Sequence, residues 1–178
     1  LAVLGPDGKE RWSVMRPDEA AGWMWSAPGK LDGGKAQDGA SALSAMQIAD
    51  AAAGVSDADA GLDTPVTVRA QTFDGWSYDL RLGKAAPEDR YYAKAAVSGT
   101  VPEKRTPRAD EKAEDKEKEE KAFAERQAAM KAKLEREQAL GAFTVLLPKS
   151  TVDPLLRERS ALVVVEKKDA KKDAKGRK

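Results

Sequence analysis

The sequence contains no histidine and no cysteine among its 178 residues. These two absences exclude a Ser-His-Asp triad, a Cys-His nucleophile, zinc sites built from thiolates or imidazoles, disulfides and c-type haem attachment. No stretch approaches 18 consecutive apolar residues, which a membrane-spanning helix would need. Much common catalytic chemistry is therefore unavailable to this chain. We predict no catalytic residue, no metal site and no cofactor.

Large apolar residues are also scarce. Leu, Ile, Val and Phe together number 30, whereas alanine alone numbers 32. This proportion is low for a chain that is packed throughout, so part of the sequence should lie outside any core. The formal net charge of +1 conceals a basic end, because residues 166–178 hold seven basic and three acidic side chains. We expect a disordered, solubilising Lys-rich tail there and no nucleic-acid partner.

The clearest structural pattern lies in residues 65–83, where two alternating runs flank Asp74-Gly75. A two-residue loop would divide the apolar residues of this hairpin between two faces. A three-residue loop of Phe73, Asp74 and Gly75 instead pairs Val68 with Leu80 and gathers the apolar residues on one face. We predict the longer loop. The other face should be exposed, and it carries Arg69, Gln71, Ser77, Asp79 and Arg81.

A third strand is predicted at residues 90–97, with Tyr91 and Ala93 pointing inward and Lys94 outward. Toward the N-terminus, the aromatic-rich residues 10–15 and 22–26 are typical of a hairpin.

A loop and a helix are predicted between the N-terminal hairpin and the hairpin at residues 65–83. Residues 28–39 are rich in Gly and Asp and predict a loop. Residues 40–53 repeat apolar side chains at helical spacing and predict a helix that Gly54 ends.

Near the C-terminus we expect a strand at 142–147. A short capped helix starting at Ser150 or Thr151 should follow it, with Pro154 in the first turn. Residues 161–165 either continue that helix or form a last strand, and three consecutive valines favour the strand.

Residues 103–138 are dominated by charge, with 11 acidic and 11 basic side chains and no glycine. From Arg108 onward we predict one helix of about 30 residues, which would span about 45 Å. Its apolar stripe is thin, consisting of Ala113, Phe123, Met130 and Leu134, and charged or polar residues interrupt it. A solvated arm is favoured over a coiled-coil partner helix, and both alternatives stay open.

These elements predict an α+β fold in which an antiparallel sheet packs with short helices. A long charged helical insertion and a disordered Lys-rich tail complete it. Residues 1–101 would form the first part of one domain and residues 102–140 the insertion. Residues 141–165 would complete the domain with a strand and a helix, and residues 166–178 would form the tail.

One fragment resembles a phosphate-binding loop. Residues 29–36 read GKLDGGKA and fit G-x-x-x-x-G-K with Lys35 as the lysine. However, Ala36 stands where a magnesium-binding Ser or Thr is required. A nucleotide fold also needs a parallel sheet, and the strongest pattern here is an antiparallel hairpin. Phosphate binding is therefore a remote alternative to a Gly-rich loop.

Two other groups of residues invite a functional reading. Asp57, Asp59 and Asp63 lie around Gly61, but the calcium-loop spacing fails and Val68 takes the place of the bidentate Glu, so a polar turn is favoured. The four tryptophans could form a stacking platform for a ligand, although in a domain of this size they more often fill the core. They are Trp12, Trp23, Trp25 and Trp76. No ligand-binding residue is assigned.

Three stretches carry a resemblance to a known family. They are GLDTPVTVRAQTFDGWSYDLRLGK at 61–84, RYYAKAAVSG at 90–99 and FTVLLPKSTVDPLLRERSALVVVEKK at 143–168. Together they resemble the bacterial domain-of-unknown-function family 4340 (DUF4340), from whose compact form the charged helix departs as an insertion. The resemblance implies a membrane-anchored, extracytoplasmic protein of the bacterial cell envelope, tethered through a segment before Leu1. It also implies an association with auxiliary proteins of gliding-motility-type ABC transporters. It carries over no functional residues.

The first functional hypothesis is therefore a non-enzymatic envelope module that contacts a protein partner through its sheet face or its charged arm. A small-ligand or glycan binder that uses exposed aromatics is the alternative. A degenerate nucleotide-binding protein is the remote one. The oligomeric state is not predicted.

Overall fold

The structure is a computed structural model that describes residues 1–107 and 112–164. Within these residues, seven strands form one antiparallel sheet in the order β2-β1-β4-β5-β6-β7-β3. The strands are β1 (Ala2–Leu4), β2 (Glu10–Ser13), β3 (Asp50–Ala51), β4 (Val66–Gln71), β5 (Ser77–Ala86), β6 (Arg90–Ser98) and β7 (Val145–Pro148). The helices are α1 (Gly33–Ser44), α2 (Ala113–Leu140) and α3 (Lys149–Val152), and a 3-10 turn covers Arg159–Leu162. The predicted α+β class, with its antiparallel sheet and long charged helix, is confirmed.

The register of the central hairpin is the predicted one. Val68 lies opposite Leu80, and the Thr72 N–H donates to the Trp76 carbonyl at 2.9 Å, which closes a three-residue loop. Gly75 has φ +83°, the left-handed conformation that this loop requires. Strand β6 then places Ala95 beside Leu80. The central strands therefore direct their apolar residues to a common face.

That apolar face carries the core. Helices α1 and α3 and the 3-10 turn pack against it, and each contributes a fully buried residue: Ala36, Val152 and Leu162. The sheet supplies other buried members of the same cluster, which include Val3, Trp12, Val68, Leu80, Leu82, Ala93 and Leu147. The longer strands β4, β5 and β6 place their buried residues on this face, as strands of an antiparallel sheet with one apolar face should.

The opposite face is polar, as predicted. Arg69 binds Asp79 through two hydrogen bonds of 2.8 and 2.9 Å across the central hairpin. Asp57, from the loop that crosses this face, lies 3.3 Å from Lys94 and 3.9 Å from Arg81. All of these side chains keep contact with solvent, so the pairs fix register and orientation more than they add stability.

The predicted N-terminal hairpin is wrong in its main pairing. The prediction pairs residues 10–15 with residues 22–26. In the structure, strand β2 pairs with β1 instead. Only a single antiparallel bridge, between Met15 and Met24, joins the two predicted runs. Strand β1 has three residues, too few to show an alternating pattern, but it fits between β2 and β4 because Val3 is fully buried against Val68.

The predicted helix at 40–53 is also displaced. Helix α1 begins at Gly33 inside the expected loop and ends at Ser44, and Asp50–Ala51 pair with β7 as a short edge strand. The cause is the Asp32 side chain, which accepts hydrogen bonds from the N–H groups of Gly34 and Lys35 and caps the helix. This cap and the burial of Ala36 outweigh the low helix propensity of the glycines.

The C-terminal elements differ in detail. Strand β7 starts at Val145, and α3 begins at Lys149, so Pro154 follows the helix and does not lie in its first turn. A last strand at 161–165 is wrong for the described part of that range, because the chain forms the 3-10 turn and then one bridge between Val163 and Leu31. Burial of Leu162 favours this turn, and it outweighs the preference of the valines for a strand. Val165 and the predicted disordered tail lie outside the described residues.

Helix α2 extends about 42 Å at 1.5 Å per residue. Its last turns meet the sheet, where Gln138 donates to the Val97 carbonyl. Farther along, the segment 101–107 lies beside it, with Arg105 paired to Glu120 at 3.2 Å and the Gln127 amide donating to the Pro102 carbonyl. The start predicted at Arg108 falls outside the described residues. No helix in the described chain combines the length and the apolarity needed to cross a bilayer.

Replacing Gly83 by alanine should destabilise the fold, since an added Cβ would lie 2.1 Å from the Ala60 carbonyl oxygen. That oxygen also accepts the Lys84 N–H, so neither backbone can retreat freely. We expect Gly83→Ala to lower the free energy of unfolding by about 1–3 kcal/mol in urea denaturation. Gly33→Ala is the matched control, because the space around Gly33 is open and alanine favours the helix. Equal stability of the two variants would contradict this account.

Candidate functional site

An open cleft of about 950 Å³ occupies the end of the apolar sheet face nearest the β4–β5 loop. Its floor is the outer part of the three central strands, formed by Val68, Ala70, Tyr78, Leu80 and Ala95. The walls come from the end of α1, the last turns of α2, the β4–β5 loop and the segment after β2. They include Leu43, Met46, Lys133, Glu137, Phe73, Asp74, Met15, Arg16, Glu19 and Trp23.

The cleft exists because the helices cover the face unevenly. Helix α1 ends at Ser44, and α3 and the 3-10 turn pack beside its first turns. Helix α2 reaches β6 only with its C-terminal turns, and Gly141 follows there against the Ala95 carbonyl. Between the two helices the cleft opens over β4 and β5, where Val68 and Leu80 stay buried and Ala70 and Tyr78 are half-buried. The volume falls within the range of ligand and peptide pockets.

The α2 wall is held by two contacts. The Tyr78 hydroxyl donates a 2.8 Å hydrogen bond to Glu137, and the ammonium of Lys133 lies 4.7 Å from the centre of the Trp76 ring. Burial, and then the neighbouring Glu137 carboxylate, raise the pKa of Tyr78 above that of a free phenol. Trp76 is 1% exposed and packs on Gly99. These contacts fix the angle at which α2 leaves the sheet.

The opposite wall is an aromatic–cation cluster. The Arg16 guanidinium lies 5.0 Å from the ring centre of Trp23 and 5.5 Å from that of Phe73. It also donates to the Glu19 carbonyl at 3.2 Å. Phe73 at the hairpin tip is 53% exposed and Met15 is 60% exposed. The cleft therefore combines an apolar floor with a charged and aromatic rim.

The structure gives Lys35 a structural role. It lies in the first turn of α1, and its ammonium donates to the Ala161 carbonyl at 2.7 Å and lies 3.7 Å from Asp32. The backbone N–H groups that a phosphate would need at this helix end are bonded to the Asp32 carboxylate. This arrangement disfavours the phosphate-loop reading.

The acidic turn behaves as the polar alternative predicts. Asp59 accepts from the Ser56 hydroxyl, Asp57 pairs with Lys94, and Gly61 adopts φ +70° between them and β4. Across the part of the chain that the structure describes, no three acidic side chains gather as metal ligands would.

The four tryptophans do not share one surface. Trp12 and Trp76 are buried, and the Trp12 indole donates to the Arg157 carbonyl at 2.8 Å. Trp23 and Trp25 are half-buried, and each has an arginine over its ring. Of the four, only Trp23 lines the cleft. The preferred core interpretation therefore holds for Trp12 and Trp76, and the four tryptophans do not form the alternative stacking platform.

Sequence reasoning placed the apolar floor correctly but missed the residues of the rim. Arg16 and Glu19 belong to a turn with no distinctive pattern. Glu137 had a detectable signal, because Met130, Leu134 and Glu137 follow Phe123 at the 3-4 spacing of one helix face. That spacing predicts a side of α2 which faces the protein, and all four residues are half-buried.

Comparison with known proteins adds no relative: no family model, no curated protein and no solved structure matches the chain. What defines the protein is an antiparallel α+β fold with an open, mixed cleft.

Raising the pH should reduce the contribution of Tyr78 to the stability of the fold. Since the pKa of Tyr78 is raised in the folded state, its contribution to stability is complete below about pH 10 and is lost as the pH rises above that value. We expect the stability advantage of the native protein over Tyr78→Phe to shrink between pH 9 and pH 11. Urea denaturation followed by circular dichroism measures it. An advantage that stays constant or grows over this range would contradict the assignment.

Proposed function

We propose that this protein is a non-enzymatic interaction module of the bacterial cell envelope, and that its cleft binds an apolar segment of a protein partner. The observation that carries the proposal is the open cleft at the end of the sheet face, with exposed apolar side chains at its edge. There Ala70, Tyr78 and Leu80 form a floor between two helices, while Phe73 and Met15 stand exposed at its edge. Exposed apolar surface rimmed by polar side chains is typical of interaction sites.

The chemistry of the cleft supports binding more than catalysis. Its hydroxyl–carboxylate pairs are Thr72 with Asp74 and Tyr78 with Glu137, and the pKa of that tyrosine is shifted away from neutrality. A general acid or base works best with a pKa near the working pH, so this shift goes in the wrong direction. The pair of Tyr78 and Glu137 is better explained as the anchor of α2.

A protein segment suits the cleft better than a glycan does. Glycans stack on free aromatic faces, but the guanidinium of Arg16 lies over both Trp23 and Phe73. The floor offers aliphatic side chains, with Tyr78 as its polar group. An amphipathic segment that lays its apolar residues on the floor would supply what the sheet lacks.

Placement in the cell envelope rests on the resemblance to the DUF4340 family. On that basis we propose an extracytoplasmic, membrane-anchored protein whose partner belongs to the envelope or to an associated transporter system. The cleft itself is independent of this placement.

A small ligand is the second candidate function. The specific observation in its favour is the volume of about 950 Å³, within the range of small-molecule sites, together with Trp23 on the wall. Trp fluorescence should change on titration with such a ligand, and a flat response across glycans and small organic anions would remove this candidate.

The interaction proposal can be tested by selecting random 12-residue peptides displayed on phage against the full chain. We expect enriched peptides that bind the native protein but not Ala70→Lys, which places a charge on the cleft floor. Ala96→Lys is the matched control, since Ala96 lies on the opposite, polar face opposite Asp79. Thermal unfolding of both variants checks that they fold.

Peptides that bind the native protein and Ala96→Lys equally, and Ala70→Lys at least tenfold more weakly, support the proposal. Absence of enriched peptides, or peptides that ignore both substitutions, would contradict it.

A further inference from the structure

The end of the cleft at the β4–β5 loop is built around a cation. The guanidinium of Arg16 lies over the rings of Trp23 and Phe73, which come from two different parts of the chain. Aromatic faces attract cations through the negative potential of the ring, so this pair of rings forms a cation-binding surface. In the free protein the chain fills that surface with its own arginine.

The local charge balance at this end is acidic. Four carboxylates and two basic side chains line the cleft. Two of the carboxylates are compensated, because Asp79 pairs with Arg69 and Glu137 lies 3.9 Å from Lys133. Glu19 and Asp74 remain, and within the described residues neither forms an ion pair with a cationic side chain. Among the described residues that line the cleft, Arg16 is the basic side chain left to balance these two carboxylates.

Arg16 is held weakly enough to be displaced. Its side chain is half-exposed, and it donates a hydrogen bond to the Glu19 carbonyl within the same turn. A contact of this kind at an exposed site contributes little to stability, so a competing cation could replace it. Residues 16–23 have no helix or strand that would oppose a shift of this side chain.

We propose, on the basis of the proposed function, that the partner segment carries an arginine or lysine next to its apolar residues. Its apolar side chains lie on the floor of Ala70 and Leu80. Its cation takes the place of Arg16 on the Trp23 and Phe73 rings, with Glu19 and Asp74 as counter-charges. Arg16 thus acts as an internal competitor for the basic residue of the partner.

The peptides selected in the phage experiment provide the test. We expect their consensus to contain at least two apolar residues and an adjacent Arg or Lys. The highest-ranked sequence is then synthesised twice, once as selected and once with norleucine in place of the basic residue. Binding of each peptide to the full chain is measured by isothermal titration calorimetry at low and high salt.

Two variants separate the parts of the proposal. Glu19→Gln/Asp74→Asn should weaken the basic peptide roughly fivefold and leave the norleucine peptide unchanged, since two exposed ion pairs are lost. Arg16→Gln should instead strengthen the basic peptide and leave the norleucine peptide unchanged, because the competitor is removed. Asp63→Asn/Asp89→Asn is the control. Both residues are exposed and lie at the far end of the strands, Asp63 before β4 and Asp89 in the β5–β6 turn.

Apolar peptides that bind the cleft without preferring a basic residue would overturn this inference and leave the proposed function standing. The same holds if the carboxylate variants affect both peptides equally. Binding that ignores Ala70→Lys would instead remove the proposed function. Dimerisation of the chain, or binding to phosphatidylglycerol vesicles, in place of peptide binding would overturn both.

Discussion

The closure of the β4–β5 hairpin by a three-residue loop is the constraint on which the rest of the molecule depends. With Gly75 in the left-handed conformation, Val68 meets Leu80 and the apolar residues of both strands share one face. A loop shorter by one residue would turn every side chain of one strand to the other side. The core, the polar face and the cleft all follow from this register, because each is defined by which side of β4 and β5 it occupies.

The same register explains why the molecule has a cleft. A sheet with one apolar face needs a covering layer over its whole length. Here α1 is short, and α2 approaches the sheet only at its end, where Tyr78 and Trp76 hold it. The helical layer is therefore incomplete over the outer half of β4 and β5. Of this helix, Lys133 and Glu137 in the last turns line the cleft.

The charged segment shows how composition and environment combine. Its many charged side chains suit a solvent-exposed helix, and its hydrophobic stripe is too thin for a coiled-coil seam. Polar and charged side chains of the helix make contacts within the chain: Pro102 and Arg105 contact Gln127 and Glu120, and Lys133 lies over Trp76. Long charged side chains can shield apolar surface in this way while their charges stay in water. The arm is thus an extension of the domain and also forms one wall of its cleft.

The sequence by itself determined the features that depend on neighbouring residues. These are the hairpin register, the third strand and the charged helix, because alternation, a glycine in the loop and i,i+4 pairs are local. It misplaced α1. The Asp32 cap favours a helix that begins at Gly33, but the glycines there have low helix propensity, and burial of Ala36 is needed to offset that cost. Only the tertiary structure decided that β1 would lie between β2 and β4, and that Arg16, Phe73 and Glu137 would meet around one cleft. The contacts concerned, such as Tyr78 with Glu137, join residues 59 positions apart, and their energy appears only when the sheet has brought the elements together.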